Sequence, residues 1–187
     1  MGKKSMIIEE KTISSERIYE GRILNLRKDL VQVKDGKTSY REIVEHNGGV
    51  ALAAITPEGK MVLVKQYRKA AEKAVLEVPA GKIEKGEDHR LTAERELKEE
   101  TGYTAGKISF ITSFYSSIGY STEVIYLYLA TELTPGETEF DENEAIDILE
   151  YDLAALKNMV LNNEIEDAKT IAAILLAESI TAKGTIQ

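Results

Sequence analysis

One segment of 23 residues, from Gly81 to Tyr103, constrains this chain more than any other. Pro79, just before it, disfavours a helical residue ahead of itself, so a short extended strand is predicted there. A loop follows as far as Gly86. Residues 87–101 then read as a helix that ends at Gly102, since glycine is the residue most often found directly after a helix. The segment therefore predicts a strand, a loop and a helix in succession.

The predicted helix carries three glutamates, Glu96, Glu99 and Glu100, at positions i, i+3 and i+4. Side chains at i, i+3 and i+4 share one helix face, so these carboxylates should converge there and repel one another. Clustered hard oxygen ligands suit Mg²⁺ or Mn²⁺. Arg95 can pair with Glu99 and hold that carboxylate in one orientation, as a metal ligand requires. Taken alone, the run is also typical of a solvated helix face, which leaves both interpretations open.

The residues around these carboxylates follow a known pattern. Gly81 is followed after five residues by Glu87, and after seven more by the run Arg-Glu-Leu-Lys-Glu-Glu-Thr-Gly-Tyr that ends at Tyr103. Every specified position of the Nudix box is filled, and only the tyrosine at its last hydrophobic position is unusual. The chain resembles the Nudix hydrolases, and within them it is most similar to the bacterial ADP-ribose pyrophosphatases.

The resemblance implies an α/β fold with a mixed sheet, the Nudix α/β/α sandwich, preceded by a small N-terminal β subdomain. It implies Mg²⁺ as cofactor, with Mn²⁺ as a substitute. Arg95 and Glu87 would support the loop and helix, and we count Arg95 and Glu99 among the catalytic residues. The metal ligands that the resemblance implies are the carboxylates of Glu96, Glu99 and Glu100 and the backbone carbonyl of Ala80.

Residues outside the box resemble substrate-binding segments of the ADP-ribose enzymes. Gln66-Tyr67-Arg68 looks like a strand end whose arginine reaches the diphosphate, because a guanidinium matches phosphate oxygens bidentately; a solvated charge is the alternative. Residues 117–123 resemble a Ser-Pro-Gly loop, with Ile118 in place of the proline. Residues 41–45 look like the segment that lines the adenosine site. The substrate-binding residues so predicted are Arg27, Arg41, Glu42, Arg68, Ser117, Gly119 and Glu123.

An acidic run at residues 141–144 looks like the loop that supplies a catalytic glutamate in this subfamily. Glu142 is our first choice as general base, ahead of Glu144. Most carboxylates in such a loop are only solvated. Both histidines, His46 and His89, are predicted to be bystanders, and His89 to be solvated near the helix start.

Composition excludes several other classes of function. The formal net charge is −8 and no basic stripe offsets it, which argues against nucleic acid as a partner. The sequence has no cysteine, so disulfides, thiolate metal sites and cysteine nucleophiles are excluded. No apolar stretch approaches the roughly 18 residues of a membrane span, and the N-terminal apolar run is too short for a signal peptide. We expect a cytoplasmic protein that does not bind membranes.

The N-terminal region alternates like β-strands from about residue 17 to residue 45, with Asp35-Gly36 as a hairpin turn. We expect a β-strand subdomain or dimerisation arm over residues 1–45 and a Nudix hydrolase domain over residues 46–187. A hairpin alone is marginal in water, so the arm should pack on something. In the resembling enzymes it packs on a second subunit, which predicts a homodimer; folding back on its own domain is the alternative.

The resemblance implies Mg²⁺-dependent hydrolysis of ADP-ribose to AMP and ribose 5-phosphate, with water attacking one phosphorus of the diphosphate. One alternative keeps the chemistry and changes the substrate to another nucleoside-diphosphate sugar or NADH. A second alternative is a module that senses ADP-ribose or NAD without cleaving it. Lost box carboxylates would favour that module, and all of them are present here.

Overall fold

The computed structural model describes residues 7–139 and 145–182. Its contacts divide the chain into two compact units. The N-terminal unit runs to Asn47 and also contains Ser117–Glu123, whereas the larger unit contains Gly48–Ser116 and the chain from Val124 onward. The predicted domain boundary between residues 45 and 46 does not assign residues 117–123 to the N-terminal unit. The boundary stays a prediction.

The N-terminal unit is an antiparallel sheet of three strands, β1 (Lys11–Glu20), β2 (Asn25–Gln32) and β3 (Thr38–Glu45). The predicted hairpin between β2 and β3 is confirmed, and its turn residues Asp35 and Gly36 have φ values of 61° and 72°. The sequence pattern predicts no strand before residue 17. Most of β1 was not predicted because every residue of this strand is exposed, so no buried face marks it.

The larger unit contains seven described strands and three helices. The strands are β4 (Gly49–Ile55), β5 (Lys60–Arg68), β6 (Lys73–Glu77), β7 (Ala80–Lys82), β8 (Thr104–Tyr115), β9 (Val124–Thr134) and β10 (Ile146–Asp152). The helices are α1 (His89–Thr101), α2 (Leu153–Leu161) and α3 (Ala168–Ala182). The strand order is β10-β5-β4-β9-β8, and β4 runs parallel to β9 while the other pairs are antiparallel. The mixed sheet confirms the predicted fold class. None of the described helices combines the length and apolarity that crossing a membrane requires.

Strand β4 is buried along its whole length and separates two halves of the core. Side chains alternate between the faces of a strand, so its odd and even residues enter different clusters. Ala51, Ala53 and Ile55 pack with residues of α2 and α3, including Leu156 and Ile174. Val50, Leu52 and Ala54 pack with Ala93 and Leu97 of α1. The sheet is therefore covered by α1 on one face and by α2 and α3 on the other.

The pairing of β4 with β5 is short, since it joins Ala54 and Ile55 to Val62 and Met61. Towards the other end of these strands, β7 pairs with residues 49–51 of β4 and β6 pairs with residues 64–68 of β5. Strands β6 and β7 thus occupy the place where β4 and β5 diverge. This arrangement brings the start of β7 to the face of the sheet that α1 covers.

Candidate active site

Helix α1 is fixed at both ends. The Asp88 side chain accepts hydrogen bonds from the backbone N–H groups of Arg90 and Leu91, at 2.9 and 3.3 Å, so the helix begins at His89, two residues after the predicted start. Gly102 ends the helix in the left-handed conformation, as predicted. The fully buried Leu97 anchors the helix between these ends, a burial that contributes about 1.5–3 kcal/mol.

The Arg95 guanidinium joins three carboxylates of the box. Its Nη1 lies 2.7 Å from Glu99 Oε2 and 2.8 Å from Glu96 Oε1, and its Nε lies 3.2 Å from Glu87 Oε1. Partial burial would lower the pKa of Arg95, but the hydrogen bond to Glu87 and the charges of Glu96 and Glu99 outweigh it and raise the pKa. Arg95 in turn lowers the pKa of Glu87. The predicted pair with Glu99 is present, and the same cation ties the helix to the loop before it.

Two other contacts join α1 to β7. The buried Glu100 carboxylate accepts a hydrogen bond from the backbone N–H of Ala80, with an N–O distance of 2.9 Å. The Glu96 carboxylate lies in the space above Gly81, where an added Cβ would be 1.8 Å from Glu96 Cδ. Glycine at position 81 is therefore needed for close approach, and it keeps the Glu96 carboxylate beside the strand that holds the Ala80 carbonyl.

The predicted convergence of Glu96, Glu99 and Glu100 on a metal ion is not tested by this structure, although Glu96 and Glu99 both contact the Nη1 atom of Arg95. Within residues 7–139 and 145–182, no three acidic, histidine or cysteine side chains form a group able to hold a metal ion. In this arrangement Arg95 contacts Glu96 and Glu99, while Glu100 accepts a hydrogen bond from the Ala80 N–H. The donors nevertheless offer only oxygen atoms, the chemistry that Mg²⁺ and Mn²⁺ prefer, so they fit a divalent cation. Their roles as ligands stay a prediction.

Arg68 ends β5, as predicted, and makes a bidentate ion pair within the protein. Its Nε and Nη2 donate to the two carboxylate oxygens of Glu77, at 2.7 and 2.9 Å. The hydrogen bond to Glu77 raises the pKa of Arg68 despite its burial, and the charge of Glu100 adds to the increase. The pairing with Glu77 was not predicted. An acid between Leu76 and Val78 in an extended run was the available signal, because a buried carboxylate there needs a cation.

The N-terminal unit separates the predicted adenosine-site residues onto two faces of its sheet. Asp29 lies opposite Arg41, and Lys28 lies opposite Glu42. Since successive side chains of a strand alternate, Arg27 and Arg41 share one face and Glu42 lies on the other. The structure thus brings the two arginines to one face without Glu42.

Both of these arginines have acidic partners. Arg27 Nη1 lies 2.8 Å from Glu45 Oε1, and its Nε lies 3.2 Å from Asp29 Oδ2. Arg41 Nε and Nη2 donate to the Glu10 carboxylate at 2.8 and 2.5 Å, and the hydrogen bond lowers the pKa of Glu10. The substrate-binding roles of both arginines stay predictions.

The 117–123 segment forms a turn that pairs with β3 within the N-terminal unit. The Ser121 N–H donates to the Ser117 carbonyl at 2.9 Å, and the Val44 N–H donates to the carbonyl of Tyr120 at 2.8 Å. Within the described part of the chain nothing lies within 4 Å of a Cβ built on Gly119, so packing does not require glycine there. Glu123 Oε1 lies 3.3 Å from His46 Nδ1. The predicted substrate contacts of Ser117, Gly119 and Glu123 are untested by this geometry.

Two further predictions concern the acidic loop and His89. Glu142 and Glu144 lie outside the described residues. His89 was expected to be solvated, which is wrong, because it is half-buried and stacks on Tyr126 with ring centroids 4.2 Å apart. It also makes a hydrogen bond with the hydroxyl of Tyr128. As the first residue of α1, it packs on β9.

Comparison with known families agrees with this fold. The model of the NUDIX domain matches residues 45–174. The model of the nucleoside diphosphate sugar hydrolase N-terminal domain matches residues 10–44. A chain with these matches, this sheet and this helix belongs to the Nudix hydrolase family.

Individual relatives cover nearly the whole chain. The ADP-ribose pyrophosphatase of Bacillus subtilis (strain 168) is 47% identical over 89% of this chain and 91% of its own. The methanol dehydrogenase activator of Bacillus methanolicus is 47% identical over 93% of this chain and 94% of its own. The ADP-ribose pyrophosphatase of Mycobacterium tuberculosis is 37% identical over 91% and 84% of the two chains. A crystal structure of an ADP compounds hydrolase shares the fold, with a TM-score of 0.84 and 21% identity over 98% of this chain and 100% of that one.

Proposed function

We propose that this protein hydrolyses the diphosphate bond of ADP-ribose and releases AMP and ribose 5-phosphate. One observation carries the proposal: the intact box, with Arg95 and Gly81 ordering its carboxylates, lies in a chain 47% identical to an ADP-ribose pyrophosphatase over most of its length. A non-catalytic sensing module is the weaker alternative, because every box carboxylate is present.

We propose Mg²⁺ as the cation, with Mn²⁺ as a substitute. The residues that would hold it are Glu96, Glu99, Glu100 and the carbonyl of Ala80. When bound there, the cation would offset the charge of the diphosphate and lower the pKa of a bound water. Arg95 orients the Glu99 carboxylate through their 2.7 Å contact. The Ala80 N–H holds the Glu100 carboxylate at 2.9 Å.

The chain's own residues would bind the substrate and move the proton. Arg68 would contact the diphosphate through the part of its guanidinium that faces away from Glu77. Glu142, or failing that Glu144, would take the proton of the attacking water. The remaining proposed substrate contacts are Arg27 or Arg41 with Glu42, and Ser117, Gly119 and Glu123.

Product analysis on a substrate panel tests the proposal. The purified protein should convert ADP-ribose to AMP and ribose 5-phosphate with Mg²⁺, and EDTA should abolish the reaction. Other nucleoside-diphosphate sugars and NADH should react with lower kcat/KM. Preference for one of them would replace ADP-ribose as the substrate, and binding of ADP-ribose without turnover would support the sensing module.

We further propose a two-fold homodimer in which the N-terminal strands pack on a second subunit and residues of both chains shape the adenosine pocket. Support comes from β1, where Ile13, Ile18 and Tyr19 have 50–56% of their surface exposed on a strand without a buried residue. Sedimentation should give a dimer at micromolar concentration, and deleting residues 1–45 should abolish dimerisation and substrate affinity. A fully active monomer would rule the shared pocket out.

A second candidate function follows from the relative in Bacillus methanolicus, which is named for activating methanol dehydrogenase and is 47% identical over 93% of this chain. We propose that this protein can act on such a dehydrogenase as well. Methanol oxidation would be measured with and without the protein, and with the Glu99→Gln variant as a control for Nudix hydrolysis. An unchanged rate would remove this function without affecting the first.

The cytoplasmic location expected from the sequence is also a proposal. The absence of cysteine is compatible with a reducing compartment. Fractionation of cells that express an epitope-tagged chain would test it, with recovery in the membrane pellet or the medium as the contrary result.

A further inference from the structure

Glu77, at the end of β6, is a buried carboxylate with only 2% of its surface exposed. Two cations reach it: Arg68 through a bidentate pair, and Lys169 through its ammonium group. Burial raises the pKa of Glu77, but the hydrogen bond to Arg68 and the charge of Lys169 outweigh it and lower the pKa. The carboxylate is therefore ionised at neutral pH and holds two positive groups on one site.

The second cation, Lys169, lies in the first turn of α3. This turn is hydrogen-bonded to the connection between β6 and β7 through Val78. Lys169 Nζ also lies 3.0 Å from Asp167 Oδ2. That same oxygen accepts from the N–H and the hydroxyl of Thr170, at 3.0 and 2.5 Å. The Thr170 hydroxyl oxygen in turn accepts from the N–H of Val78 at 2.9 Å. The ammonium group is thus held beside Glu77 by contacts on both sides.

The exposure of these side chains differs in a way that points to a ligand. The side chains of Glu77 and Lys169 are 3% and 16% exposed, whereas that of Arg68 is 42% exposed. Glu77 accepts from Nε and Nη2 of Arg68, and within the described residues no hydrogen bond involves Nη1, so that end is available to a ligand. The charge of Glu100 also acts on Arg68, which places the guanidinium within electrostatic range of the proposed metal ligands.

Resting on the proposed function, we propose that Glu77 is a positioning residue that aims Arg68 at the substrate diphosphate. Lys169 shares the Glu77 carboxylate with Arg68, so that this carboxylate offsets less of the Arg68 charge. A buried ion pair is weak evidence for stability, because apolar replacements are often as stable. Fixing one guanidinium by a bidentate pair, however, reduces the side-chain entropy that substrate binding must remove.

A double-mutant cycle tests this role. Wild type, Arg68→Ala, Glu77→Gln and the double variant would be assayed on whichever nucleoside diphosphate of the panel the wild type hydrolyses best. Loss of a charged hydrogen bond predicts a KM increase of roughly tenfold to a hundredfold for Arg68→Ala and for Glu77→Gln. Their kcat should stay within about threefold of wild type. In the Arg68→Ala background, Glu77→Gln should add nothing, because the group that it positions is gone.

The matched control is Glu166→Gln, the same substitution at an acid that pairs with Lys73 while 58% exposed. It should leave KM unchanged. Lys169→Met should raise KM with kcat preserved, and Lys169→Arg should restore it. An unchanged KM for Lys169→Met would remove Lys169 from the proposal. Additive KM effects of Arg68→Ala and Glu77→Gln would overturn the role of Glu77.

Arg68→Lys keeps the test decisive if Glu77→Gln does not fold. Lysine retains the charge but cannot form the bidentate pair, so its KM should approach that of Arg68→Ala. A KM equal to that of wild type would show that orientation by Glu77 is unnecessary. Because the cycle uses the substrate that the wild type prefers, a preference for a compound other than ADP-ribose would refute that substrate and leave this test intact.

Discussion

Replacing Gly81 by alanine should disturb the candidate active site while leaving the fold intact. The ideal Cβ at this position lies 1.8 Å from Glu96 Cδ and 2.0 and 2.3 Å from its two oxygens, whereas ordinary contact begins at 3.4 Å. The Glu96 carboxylate must therefore withdraw by about 1.6 Å, and Gly81 itself has no positive φ that alanine would strain.

The displaced group is the end of a flexible side chain, so the fold should tolerate the change. Alanine in a strand is more favourable than glycine by roughly 0.5–1 kcal/mol, which offsets the rearrangement, and Tm should move by only a few degrees. A proposed metal ligand moved by more than an ångström should nevertheless lower kcat/KM by about 100-fold. Affinity for Mn²⁺, measured by electron paramagnetic resonance, should fall with it.

Gly59→Ala is the control for the backbone effect of a Gly→Ala change. Gly59 lies in the turn between β4 and β5 with φ of +82°, and no atom of the described residues lies within 4 Å of its added Cβ. This variant should lose about 1 kcal/mol of stability through backbone strain and keep its kinetics. If Gly81→Ala kept kcat/KM within about threefold of wild type at saturating metal, the assignment of Glu96 as a ligand would be refuted.

Three further predictions concern the carboxylates. Glu99→Gln and Glu100→Gln should fold normally and lose most activity, and activity within about twofold of wild type at saturating Mg²⁺ would contradict the metal site. Glu142→Gln should lower kcat with little change in metal affinity; a larger drop for Glu144→Gln would transfer the role of base to that residue, and no drop in either would return it to the box. Although burial raises the pKa of Glu77, its cation partners lower it below the ordinary value of a glutamate. The contribution of this carboxylate to stability is therefore present above the unfolded pKa and is lost as the pH falls through the folded pKa. Tm measured against pH should accordingly fall less steeply in acid for Glu77→Gln than for wild type.

Local chemistry made several elements of this protein predictable from the sequence. The C-terminal end of α1 follows from Gly102, and the β2–β3 hairpin follows from Asp35-Gly36, because glycine favours backbone conformations that few other residues adopt. The pair between Arg95 and Glu99 follows from helical spacing alone. Each of these depends on residues within a few positions of one another.

Only the tertiary structure decided which partners the carboxylates contact in distant parts of the chain. Glu96 meets Gly81, and Glu100 meets the Ala80 N–H, because β7 lies where β4 and β5 diverge, and no local pattern encodes that divergence. Glu77 and Lys169 are 92 residues apart, and their ion pair exists because α3 begins beside β6. Strand β1 has no buried face to give it a period, so only its pairing with β2 revealed it. Contacts between distant segments depend on packing, which is why the sequence predicted the pair of Arg95 with Glu99 but not the pairs of Glu77 with Arg68 and Lys169.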